Sequence, residues 1–187
     1  MAYNEALENQ KYEIIDSEEV MLAQPSVNHI TIAGNLNRII GNYLRGKRCM
    51  VFSEMMVYLD ENNHYIPDVI IVCDHNKIKT NYIEGSPDLA IEILSNSTKK
   101  MDISIKKDAY EHFGVKEYWI VSPKEKSIEV YLLKDGKYKI DDVYSVMEDW
   151  ELESLTEEQK ADHKLTLKVS LYDDLEIDIN EIFEKLI

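Results

Sequence analysis

Four consecutive β-branched residues, Val69-Ile70-Ile71-Val72, restrict this chain more than any other feature. An uninterrupted apolar run has no polar face to turn to solvent, so as a strand it must be covered on both sides. That predicts a strand within Tyr65–Cys73, inside a sheet with further layers above and below. Asp88–Ser95 reads as a second covered strand, with Leu89-Ala90-Ile91-Glu92-Ile93-Leu94 at its centre. Upstream, Pro25-Ser26 opens a helix whose apolar stripe is Ile32, Leu36, Ile39, Ile40, Tyr43 and Leu44, and Gly46 stops it. Met50–Leu59 is expected as one strand, followed by the turn Asp60-Glu61-Asn62-Asn63. A helix over about 98–113 ends at Gly114. Strands follow at 118–122 and 128–133, with a short one at 138–140 after the turn Lys134-Asp135-Gly136. An acidic helical insert at roughly 146–162, a strand at 165–171 and a helix at 179–186 close the chain, and residues 1–24 read as a short lead-in. This order predicts an α/β (α+β) chain with a mixed sheet flanked by helices, without the regular alternation of a doubly wound fold.

The length of 187 residues fits one domain over 1–187. No segment approaches the ~20 consecutive apolar residues of a membrane helix. The opening MAYNEALENQKYEII has acids and amides where a signal peptide carries a basic and then an apolar run, so a cytoplasmic protein is expected. Cys49 and Cys73 form no ligand-like cluster and lie beside apolar runs, which predicts buried, reduced thiols. The net charge of −15 argues against a broad basic surface for nucleic acid. Charge is unevenly placed, however. Acids concentrate in Glu148–Glu158 and Asp173–Asp178, and cations in Arg45–Arg48 and Lys99–Lys107.

Glu92 is the residue least compatible with its surroundings, because a carboxylate inside an apolar strand needs a partner or a cation. Alternation puts it on the face of Asp88, Ala90 and Leu94. Asp68 follows Pro67 at the start of the neighbouring strand and supplies a second hard oxygen ligand. Mg²⁺ (or Mn²⁺) is commonly held by one or two carboxylates together with water and substrate phosphate. Asp102, Lys106 and Tyr110 fall at successive i, i+4 steps of a helix, so they share a face. An ammonium facing two carboxylates suits stabilisation of transition-state charge. Each residue also has a plainer reading: a buried salt bridge for Glu92, a turn cap for Asp68, a solvated pair for Asp102 and Lys106. His29, near the buried edge of the first helix, and Glu54, which interrupts an apolar strand, are the remaining candidates. His64, His75, His112 and His163 have no zinc-like spacing. There is no phosphate-cradling glycine motif and no nucleophile elbow.

Taken together, these residues resemble a large bacterial domain-of-unknown-function family linked to restriction endonucleases, a branch of the PD-(D/E)xK nuclease superfamily. The resemblance runs over about residues 20–185. It rests on Ile66-Pro67-Asp68-Val69-Ile70-Ile71-Val72, on Gly85-Ser86-Pro87-Asp88-Leu89-Ala90-Ile91-Glu92-Ile93-Leu94-Ser95, and on Ser97-Thr98, Asp102, Lys106, Tyr110 and Gly114-Val115-Lys116-Glu117-Tyr118-Trp119-Ile120-Val121 in that order. It implies a restriction-endonuclease-like core: a central mixed sheet flanked by helices. Asp68 matches the motif aspartate and Glu92 the (D/E), as metal ligands and catalytic residues. The superfamily places lysine two residues later, where this chain has Leu94; Lys106 on the following helix matches instead. Asp88 lies four residues from Glu92 on one strand, about 13 Å away, too far to share an ion easily. The implied function is a metal-dependent DNA endonuclease that hydrolyses phosphodiesters. The alternative is a catalytically weak or inactive binding module on the same fold, and a homodimer joined through a sheet edge or the C-terminal segment fits that alternative as well.

Overall fold

A computed structural model describes residues 11–95 and 101–187. The chain runs through β1 (Tyr12–Ile15), β2 (Glu18–Met21), α1 (Val27–Leu44), β3 (Met50–Ser53), β4 (Val57–Tyr58), β5 (His64–Tyr65), β6 (Val69–Val72), β7 (Ile83–Glu84) and β8 (Leu89–Ile93). A π-helical stretch, Met101–Lys106, then leads into α2 (Lys107–His112). Next come β9 (Glu117–Ser122), β10 (Ser127–Lys134), β11 (Lys137–Ser145), α3 (Asp149–Ser154), α4 (Glu157–Asp162), β12 (Thr166–Lys168), β13 (Glu176–Asp178) and α5 (Ile179–Ile182). Among the described residues no helix is long and apolar enough to cross a membrane.

The main sheet has the order β11-β10-β9-β8-β6-β3. Only the β8–β9 pair within it is parallel, so the sheet is mixed, as expected. Val69 to Val72 and Leu89 to Ile93 are buried throughout, which accounts for their unbroken apolar character. One face packs on α1 through Ile32, Leu36, Ile40 and Leu44, and on the C-terminal Leu167, Ile177, Ile179 and Ile182. The other face, carrying Ile70, Val72, Ala90, Tyr118 and Ile120, is covered by Tyr110 of α2 and by Ile15, Val57, Tyr65 and Ile83. Those last four belong to a smaller sheet, β2-β1-β5-β4-β7.

The two sheets meet at a corner. The single strand expected over Met50–Leu59 breaks at Glu54, whose φ is 50°, into β3 and β4. The strand expected over Tyr65–Cys73 breaks into β5 and β6 at Ile66-Pro67-Asp68. Pro67 has no N–H, so the ladder cannot run on through it. The paired strands β3 and β6 belong to the large sheet, and β4 and β5 pair in the small one. Across the corner, the Glu54 N–H donates to the Asp68 carbonyl at 3.2 Å. Asp68 therefore stands where one sheet hands over to the other.

The lead-in is also structured. Ile15 pairs with Glu18, leaving Asp16-Ser17 as a two-residue turn with φ of 51° and 70°. Positive φ at both central residues is the type I′ geometry that matches strand twist. The Ser17 N–H and hydroxyl donate to Asn62, and the Asp16 N–H to the Asn63 side chain, docking the hairpin on the next turn. Cys49 and Cys73 are not reduced thiols but a disulfide. The β3–β6 register pairs Met50 with Val72, and one residue further it sets Cys49 against Cys73. The strand expected at 165–171 is shorter, and with β13 it makes a separate two-stranded sheet.

Glu117, fully buried at the start of β9, ties the C-terminal segment to the main sheet. Its carboxylate accepts from the Ser170 N–H at 2.9 Å, from the Ser170 hydroxyl, and from Trp119 Nε1 at 2.6 Å. Burial raises its pKa, only partly offset by the hydrogen bonds from Ser170 and Trp119. The folded state thus binds this proton more tightly than the unfolded chain. The group's stabilisation is complete below its unfolded value near 4.5 and is lost as pH rises through the folded value. Between about pH 5 and pH 8 the melting temperature of Glu117→Gln should fall less steeply than that of the wild type. Parallel slopes in calorimetric melts would remove Glu117 from the account.

Candidate active site

The β6–β8 ladder pairs Val69 with Ile91 and Ile70 with Ala90 in antiparallel register. Continued by one residue, it sets Asp68 against Glu92. The Asp68 carboxylate is fixed on both oxygens: Oδ2 accepts from the Ile93 N–H at 2.6 Å, and Oδ1 lies 2.8 Å from His29 Nε2. His29 comes from the first turn of α1, where its own N–H donates to the capping Ser26 hydroxyl. It serves as neither a core residue nor a cap donor alone: its ring orients Asp68.

Glu92 is 2% exposed. Its Oε1 accepts from Lys106 Nζ at 3.1 Å and from the Tyr110 hydroxyl at 2.8 Å. Lys106 and Tyr110 share a face despite the π-helical stretch that ends at Lys106. Stretches of this kind often re-aim side chains at functional sites. Burial, and secondly the charge of Glu92, raise the Tyr110 pKa well above its ordinary value, so the phenol stays a donor. The side chain of Asp102 lies outside the described residues. Glu54 sits at the rim, paired with Lys11 and half exposed.

One residue of this constellation is not among those singled out from the sequence. Glu13 of β1 is completely buried, and its Oε1 stands 2.9 Å from Lys106 Nζ and accepts the Ile66 N–H at 2.7 Å. Among the described residues its Oε2 has no hydrogen-bond partner. Among the described residues, the carboxylates of Glu13 and Glu92 meet the Lys106 ammonium, and that of Asp68 meets the His29 imidazole. Asp68, Glu92, Lys106, His29 and Glu54 all line one cleft of about 1040 Å³. Lys11 and Arg38 stand on its walls, together with apolar side chains such as Leu22, Ile30 and Ile93. Asp88, in contrast, is structural: it accepts from the Cys73 N–H and from Lys116. Among the described residues no group of three or more His, Cys, Asp or Glu side chains is gathered as a metal cluster.

This architecture is shared with a solved structure described as a "putative nuclease belonging to DUF820" from Anabaena variabilis, with a TM-score of 0.71 over 96% of each chain and 18% identity. The chain belongs to the family described as "Uma2: Putative restriction endonuclease", which matches residues 2–168. Two curated relatives come from Synechocystis sp. The protein named "Uncharacterized protein slr1290" is 28% identical over 134 residues, 70% of each chain. The protein named "Uncharacterized protein sll1609" is 29% identical over 97 residues, 50% of this chain and 55% of that one.

Proposed function

We propose that this protein is a divalent-metal-dependent nuclease that hydrolyses phosphodiester bonds in DNA, with Asp68 and Glu92 holding Mg²⁺ or Mn²⁺. The observation that carries this reading is the convergence, in one cleft, of carboxylates from adjacent strands with a lysine ammonium touching the more buried one. The donors fit the ion. Carboxylate oxygens are the ligands Mg²⁺ prefers, and two suffice where water and phosphate complete the shell. Asp68 and Glu92 bring two negative charges to one cleft, which also favours a cation. When bound, such an ion supplies Lewis acidity toward phosphate oxygens and a more acidic water.

The protein's own groups do the rest. His29 and the Ile93 N–H fix the Asp68 carboxylate, and Tyr110 fixes that of Glu92. Lys106 brings a positive charge to a nearly dry position, where it stabilises the phosphorane charge more strongly than an exposed lysine would. Lys11 and Arg38 stand on the cleft walls, each paired with an exposed or half-exposed carboxylate, Glu54 and Glu184, that a flanking phosphate would have to displace.

A specific observation also favours a second reading, a catalytically silent module on the nuclease fold: Lys106 forms a direct ion pair with Glu92, engaging the carboxylate that would hold the ion. Incubation of purified protein with plasmid DNA and Mg²⁺ separates the two. The nuclease reading expects cleavage by the wild type and none by Asp68→Ala or Glu92→Ala. Equal cutting by all three would mark a contaminant and refute the assignment. Absence of Mn²⁺ uptake in calorimetry would favour the silent module.

A further inference from the structure

Glu13 has a position that a merely space-filling residue would not need. It is the innermost residue of the N-terminal hairpin, on the strand side opposite the exposed Tyr12. Its Oε1 makes two contacts of different kinds at once. One is the ion pair with Lys106, at 2.9 Å. The other is the hydrogen bond from the Ile66 N–H, one residue before Pro67-Asp68. A single carboxylate oxygen therefore connects the ammonium of α2's lead-in with the backbone corner that presents Asp68. Lys106 in turn is shared between Glu13 and Glu92, 2.9 Å from one and 3.1 Å from the other. A lysine has four rotatable side-chain bonds, and a single partner at one end leaves its ammonium free to swing. Two carboxylates on separate strands fix it between them.

We propose that Glu13 is a positioning residue that holds the Lys106 ammonium against Glu92 and anchors the Asp68 corner, so that the N-terminal hairpin is part of the active site. This deepens the nuclease reading and rests on it for its kinetic consequences. Glu13 touches no substrate; it acts through Lys106. Removing its charge leaves the cleft walls and both carboxylates assigned to the metal in place while loosening the ammonium.

Glu13→Gln is the informative variant, because its amide oxygen can still accept the Ile66 N–H. The expected result is a kcat about 100-fold lower, the scale of a misplaced catalytic group, with KM and Mn²⁺ affinity unchanged. Combined with Lys106→Met, the Glu13→Gln change should add nothing further to the loss of rate. A second readout is independent of turnover: in ¹⁵N-lysine-labelled protein, the ammonium proton signal of Lys106 should be slow to exchange in the wild type and shifted or lost in Glu13→Gln. The proposal is overturned by wild-type turnover in Glu13→Gln, by losses that multiply in the double variant, or by an unchanged ammonium signal. If Glu13→Gln alone does not fold, E13Q/K106M compared with K106M carries the same kinetic test. If the wild type cuts no DNA, the nuclease reading falls, and the ammonium signal still decides whether Glu13 positions Lys106.

Discussion

Glu92→Gln should reduce the rate of DNA hydrolysis about a thousandfold, equivalent to roughly 4 kcal/mol of transition-state stabilisation, while the protein stays folded. The two halves of that expectation have separate causes. Glutamine keeps the volume and an oxygen able to accept from Tyr110 at the position where Glu92 now accepts at 2.8 Å. A neutral amide is also easier to bury than a carboxylate at a site that is 2% exposed. The core around it, Ala90, Tyr118 and Ile120, loses no contact volume. What disappears is the charge. One of the two carboxylates assigned to the ion becomes neutral, which lowers the affinity for a divalent cation, and Lys106 loses the counter-ion that Glu92 provides. Glu92→Asp makes the complementary comparison: it keeps the charge but withdraws it from the hydrogen bond of Tyr110. Single-turnover rates with Mg²⁺, measured beside melting temperatures, separate catalysis from folding. A Glu92→Gln protein that cuts DNA as fast as wild type would end the assignment of Glu92 to the chemistry.

Much of this arrangement is readable in the sequence wherever the physics is local. The run Val69-Ile70-Ile71-Val72 could only be a strand covered on both faces, and it is one. The stripe Ile32, Leu36, Ile40 and Leu44 is the buried face of α1. Alternation sets Glu92 with Ala90, away from Leu89, Ile91 and Ile93, and the two core clusters divide in that way. What could not be read depends on long-range register. Glu13 lies in a hairpin whose turn, Asp16-Ser17, lacks the glycine that usually announces a type I′ turn. Its pairing with Lys106 spans most of the distance from the N-terminus to α2. The break of Met50–Leu59 at Glu54 moves two residues of one apparent strand into another sheet, a decision made by tertiary packing rather than by β propensity. The Cys49–Cys73 bond follows from the pairing of Met50 with Val72, which no spacing rule for cysteines encodes. Ser97 and Thr98, quoted for the family resemblance, lie outside the described residues.

Lys106→Met should destabilise the fold by about 3–5 kcal/mol, the usual cost of breaking a buried ion pair by removing one partner. For a chain of this size that corresponds to a drop in melting temperature on the order of 10 °C. Methionine matches lysine closely in length and fills the same channel, so the loss would not come from a cavity. It comes from the carboxylates left behind. Glu13 and Glu92 both lie within ion-pair distance of one ammonium, with side chains 0% and 3% exposed, so without Lys106 neither has water to take its place. Their mutual repulsion adds to the cost, because both are held by elements that cannot separate: β1 through the Ile66 hydrogen bond, β8 through the centre of the sheet. The same logic predicts recovery. Adding Glu13→Gln and Glu92→Gln to Lys106→Met removes all three charges, and a buried triad replaced by neutral side chains of similar volume is commonly no less stable than the original. The triple variant should therefore melt close to wild type while cutting no DNA. A triad that adds little net stability is better explained by function than by folding. Thermal melts of the single and triple variants at one pH decide the matter: a Lys106→Met protein as stable as wild type would mean that the ammonium is not compensating buried charge.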